Sequence, residues 1–106
     1  VYKRQFQDKN NKVEVKTERD MLKKTGNIAI EIRCRGKLSG LSVTDAETWI
    51  HLLSYNNVIE GGFIFKTSLL KEKIKKLHKE GNLKLTMGGD DKMSQMALLP
   101  IKDLFD

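Results

Sequence analysis

Lys12-Val13-Glu14-Val15-Lys16 and Ile28-Ala29-Ile30-Glu31-Ile32-Arg33 are the two stretches on which the fold turns. Both alternate side-chain character with a period of two, the pattern of a half-buried β-strand. In the first, Val13 and Val15 are expected to enter the core, while Glu14 and Lys16 point together to the other side. In the second, the isoleucines share one face. A charged connection from Glu18-Arg19-Asp20 through Lys23-Lys24 to Thr25-Gly26-Asn27 separates them. Its length suits antiparallel neighbours joined by a loose loop rather than a tight turn.

Downstream, Arg35-Gly36-Lys37-Leu38-Ser39-Gly40 reads as a basic, glycine-punctuated loop. Thr44-Asp45-Ala46-Glu47 matches a capping box. It predicts a helix that buries Ala46, Trp49, Ile50 and Leu53 and stops before Asn56-Asn57. Residues 58–65 read as a strand weakened by Gly61-Gly62. Thr67 or Ser68 caps a second helix with the apolar stripe Leu70, Ile74 and Leu77, lysines on its outer face and Gly81 after its end. Residues 83–87 and 95–99 predict two short strands around Gly88-Gly89-Asp90-Asp91, and a terminal turn follows Pro100. The expected class is α/β, a mixed sheet of about four or five strands flanked by helices, in the order β-β-α-β-α-β.

The 106 residues are enough for one domain. With 39% hydrophobic and 32% charged residues the chain fits a soluble globular protein, and no apolar run approaches a membrane span. The single cysteine, Cys34, cannot form an internal disulfide, which fits a reducing cytoplasm. Twenty Lys+Arg against 14 Asp+Glu give a net charge of +6, and the excess gathers before Gly36. A localised basic region is a sign of a polyanionic partner.

Glu14-Val15-Lys16 is the sharpest chemical candidate. A carboxylate can hold Mg²⁺ or Mn²⁺ through oxygen, and an ammonium on the same face can orient a water and steady charge growing on a phosphate. The tripeptide by itself reads equally well as a surface pair. His51 and His78 stand without a second ligand at zinc spacing. No P-loop or Ser/His/Asp set is present.

Residues 13–17, 24–31 and 35–44, with their order and spacing, resemble a group of small bacteriophage proteins of the PD-(D/E)xK nuclease superfamily, similar to Holliday-junction resolvases and restriction endonucleases. The resemblance extends from about Phe6 to the C-terminus. It implies a restriction-endonuclease-like core and a metal-dependent DNA endonuclease of phage replication or recombination, working in the host cytoplasm, with Mg²⁺ or Mn²⁺ as cofactor and a homodimer as the assembly. Glu14 would be a metal ligand and Lys16 the catalytic lysine, with Glu31 supporting them from the next strand. Lys23, Lys24, Asn27, Arg35, Lys37 and Ser42 would contact DNA. The family also places an aspartate upstream of the Glu-x-Lys. Here that stretch is Tyr2-Lys3-Arg4, and Asp8 is the upstream acid available as a metal ligand. Val1-Tyr2-Lys3-Arg4-Gln5 reads as a translated sequencing adapter of the kind found in metagenomic reading frames, and no initiator Met is present. The expectation is therefore a nuclease-like domain over residues 6–106, truncated at its N-terminus and weak or inactive by itself. The alternative is a non-catalytic DNA-binding or structural protein that has kept the nuclease fold.

Overall fold

A computed structural model describes residues 12–19, 25–88 and 92–104. It is a mixed α/β structure built mostly of strands. The elements are β1 (Val13–Arg19), β2 (Asn27–Cys34), β3 (Lys37–Leu38), a 3-10 turn (Gly40–Ser42), β4 (Thr48–Tyr55), β5 (Val58–Lys66), α1 (Thr67–Lys79), β6 (Lys84–Gly88), β7 (Ser94–Pro100) and a second 3-10 turn (Ile101–Asp103). The strands form two sheets, β1-β4-β5 and β3-β2-β7-β6.

The two opening strands form as expected but do not pair. β1 runs parallel to β4, with Glu14 beside Trp49 and Lys16 beside His51. β2 runs antiparallel to β7, with Ile28 beside Leu99 and Ile30 beside Ala97. This corrects the expected antiparallel neighbours, and it reverses the expected faces of β1. Residues in register share a face. Glu14, Lys16 and Glu18 therefore point with Trp49, His51 and Leu53 toward the core side. Val13 and Val15 share the opposite face with Thr48 and Ile50, and Val15 keeps 42% of its surface exposed.

The predicted first helix is absent; residues 48–55 are β4. β4 carries apolar side chains on both faces: Trp49 and Leu53 on one, Ile50 and Leu52 on the other. Such a run imitates a buried helix. The Thr44 hydroxyl caps only a turn, accepting from the backbone N–H of Ala46 at 3.2 Å. Asn56 and Asn57, expected to follow a helix, form the two-residue hairpin turn between β4 and β5, with φ of 50° and 66°. The observed order among the described residues is thus β-β-β-β-β-α-β-β, with one α-helix.

The predicted second helix is α1. Its Leu70 is buried, Ile74 and Leu77 pack partly against the core, and Gly81 follows its end with φ of 75°. The core gathers Ile28, Ile30 and Leu99 from one sheet, Trp49 from the other, Leu70 from α1 and Leu41 from the 3-10 turn. Burying a large aliphatic or aromatic side chain contributes about 2 kcal/mol each. Gly62 lets β5 lie close to β4: a Cβ there would stand 2.6 Å from the His51 carbonyl oxygen.

Gly40 holds the 3-10 turn against β2. Its φ is 53°, and a Cβ there would stand 2.2 Å from the Glu31 carbonyl oxygen. Gly40→Ala is expected to lose about 2 kcal/mol or more. Gly61→Ala, where nothing lies within 4 Å, should stay within about 0.5 kcal/mol of the parent. Urea unfolding of both variants checks this; equal losses would show that the close approach at Glu31 is not what requires glycine.

Candidate functional site

β1 brings Glu14 and Lys16 together on one face, as its alternation predicts. Lys16 Nζ lies 3.8 Å from Glu14 Oε2, and the two side chains are 46% and 34% exposed. A half-exposed pair of this kind contributes little to stability. It does place a carboxylate and an ammonium side by side on a strand that is the edge of its sheet among the described residues. Glu31 does not join them. It lies on β2 in the other sheet, half-buried beside Met96, and alternates with Ile30, so it points away from the core face. The expected support of Glu14 or Lys16 by Glu31 is therefore not formed.

The DNA-contact residues expected from the sequence are dispersed. Asn27 begins β2, where its backbone N–H donates to Thr25 Oγ1 at 3.2 Å. Arg35 sits beyond the far end of the same strand, in the two-residue turn to β3, with φ of 53°. That is roughly 25 Å of extended chain away. Lys37 is exposed on β3. Ser42 belongs to the 3-10 turn and faces α1 across a groove lined also by Lys71 and Ile74. Lys23, Lys24 and Asp8 lie outside the described residues.

A second constellation was hidden in the sequence. His51 Nε2 lies 2.7 Å from Glu18 Oε1, and the side chains are only 3% and 8% exposed. Trp49 Nε1–H donates to His51 Nδ1 at 3.3 Å. The indole nitrogen can only donate, so Nδ1 offers its lone pair and the ring proton sits on Nε2, donating to Glu18. The same Glu18 oxygen also accepts the backbone N–H of Ala29 at 2.9 Å, and the Ser54 hydroxyl donates to the Glu18 carbonyl at 3.3 Å. The carboxylate thus ties β1 to β4 within one sheet and to β2 in the other. Its second oxygen is buried with no hydrogen-bond partner among the described residues. The acid and the histidine are far apart in sequence, and neither has a neighbour that marks it. The visible signal was weaker: Glu18 continues the Glu14, Lys16 face, and His51 stands in an otherwise apolar run.

At the start of β1, Lys12 Nζ donates to Asp45 Oδ2 at 2.6 Å. That hydrogen bond, with the ammonium's charge, holds the Asp45 carboxyl below the usual carboxylate range. Both side chains are largely exposed, so the pair orients the 43–47 loop more than it stabilises it. Among the described residues no group of three His, Cys, Asp or Glu side chains is placed to hold a metal ion. None of the described helices is long and apolar enough to cross a membrane.

Removing the buried carboxylate would leave the Ala29 N–H and the His51 ring unpaired. Glu18→Ala is expected to cost about 3 kcal/mol. Glu18→Gln keeps an acceptor for both donors, removes the buried charge and should cost clearly less. Chemical denaturation of both variants measures the difference, and equal losses would show that volume rather than hydrogen bonding explains the site. Compared with known proteins, the chain matches no family model, no curated protein and no solved structure.

Proposed function

We propose that this chain carries a PD-(D/E)xK-type core and acts as a metal-dependent DNA endonuclease, with Glu14 and Lys16 as its reacting pair. The observation that carries the reading is their placement. A carboxylate and an ammonium stand 3.8 Å apart, half-exposed on one face of a strand that is an edge among the described residues and whose orientation is held by the buried Glu18. The reading rests on this pair and on the sequence resemblance rather than on the element order, which differs from the expected β-β-α-β-α-β. At a phosphodiester, Lys16 would orient the attacking water and steady the negative charge that grows on the phosphate oxygens.

Mg²⁺ or Mn²⁺ would supply Lewis acidity at the phosphate. The described residues do not complete a site for it. Glu14 offers one half-exposed carboxylate, while Glu18 is committed to His51 and Ala29. The second donor has to come from outside the described residues, where Asp8 lies. This same shortage favours the other reading, a DNA-binding protein that has kept the fold without the chemistry.

Nicking of supercoiled plasmid in Mg²⁺ or Mn²⁺ separates the two. The expected result is slow cleavage that Glu14→Gln and Lys16→Ala each reduce by about 100-fold or more, with unfolding transitions unchanged. Plasmid left intact by the parent, or cut at the parental rate by both variants, would replace the nuclease reading with the non-catalytic one.

A further inference from the structure

We propose that the groove between α1 and the Gly40–Ser42 turn is a docking surface for the phosphate backbone of DNA, an inference that rests on reading the chain as a DNA-acting protein. Two adjoining hollows, of ≈ 500 and ≈ 330 Å³, share Ile32, Ser42, Ile74 and Lys75. Lys71, Lys75, Lys76 and Lys79 line them from the helix, with His78, and no carboxylate lines either one among the described residues. The floor is aliphatic, formed by Ile32, Leu41, Ile74 and Leu83. Such a floor holds lysine stems while their ammonium groups stay at the rim.

The spacing suits a polymer of repeated charge. Lys71, Lys75 and Lys79 stand four residues apart on α1, one above another, at intervals of about 6 Å. Like charges at that spacing work against the helix. Glu72 stands three residues before Lys75 and four before Lys76 and offsets part of this charge, but it does not line the groove. A duplex presents about one negative charge per 1.7 Å of its axis, so a cation row of this length meets several phosphates wherever it lands. The Ser42 hydroxyl adds a neutral donor at the opposite wall. Among the described residues no Phe, Tyr or Trp side chain lines the groove and His78 carries its one ring, so contact falls mainly to the backbone.

One wall of the groove is tied to the 43–47 loop. Lys71 Nζ donates to the Thr44 carbonyl at 3.2 Å, and the next residue, Asp45, is bonded to Lys12 at 2.6 Å. Lys12 precedes Glu14 by two residues on the same chain. Docking at this groove moves the main contact from the basic loops around Arg35 and Lys37, favoured by the charge distribution, to the helix.

Anisotropy of a fluorescein-labelled DNA duplex, titrated at several salt concentrations, tests this. Lys75→Gln/Lys79→Gln should weaken binding about tenfold or more and lower the salt slope by about one per lost contact. Circular dichroism should remain parental, and Arg35→Ala/Lys37→Ala should change affinity much less. Parental affinity in the helix variant, or an equal or larger loss in the loop variant, overturns the proposal. So does a parent that binds polyglutamate in this groove but not DNA. The two readings fail separately. Groove-dependent binding without plasmid cleavage removes the nuclease and leaves the groove, whereas cleavage with parental binding by the helix variant removes the groove alone.

Discussion

The carboxylate of Glu18 links the two sheets by hydrogen bonds beside the apolar core they share. β2 is paired with β7 along its length, but on its other side β3 accompanies only Arg33 and Cys34. The Ala29 N–H on that open side would be left without a partner in the protein interior, and Glu18 supplies one. The same oxygen fixes the tautomer of His51, which in turn accepts from Trp49 in the core. The side chain thus serves β2 as a short substitute for a neighbouring strand. Burying it costs several kcal/mol, which two donors offset only in part, since one oxygen has no partner among the described residues.

That bond also sets the candidate site. Glu14 and Lys16 share a face with Glu18 because strand residues two apart point the same way. A slip of β1 by one residue would expel Glu18 from its pocket and turn Glu14 and Lys16 to the opposite side. The geometry of the exposed pair is therefore specified by a buried residue farther along the strand, where displacement is costly.

The legible parts of the sequence were those with a clean period. β2, β7 and α1 each bury one face or stripe, and β1 and β6 alternate in sequence without burying their apolar face, so alternation or the 3.6-residue repeat revealed all five. β4 was not legible because it is apolar on both faces, and Thr44 forms in a turn the kind of local hydrogen bond that it would form at a helix start. Strand partners were not legible either: Val13 and Val15 suit the face of Ile50 as well as a core, and nothing local says which. At the site, Glu14 and Lys16 could be read because two residues suffice to define a shared strand face. The Glu18–His51–Trp49 chain could not, since it exists only after β1 and β4 meet. The lysine row escaped for another reason. Summed over the chain after Gly36, the acids nearly balance the bases, and the sum hides their separation along the groove.

The order of pairing along the chain has its own consequence. β1 meets β4 only after β2 and β3 have been passed, and β2 meets β7 only after β4, β5 and α1. Each sheet is closed around part of the other, so neither corresponds to a continuous piece of chain. Long loops must be closed before either set of contacts rewards them, which makes acquisition of this structure slow for its size. It also makes loss all-or-none. A nick or an insertion between β2 and β4 would not release one sheet and spare the other, because the segment it disturbs belongs to the closure of both.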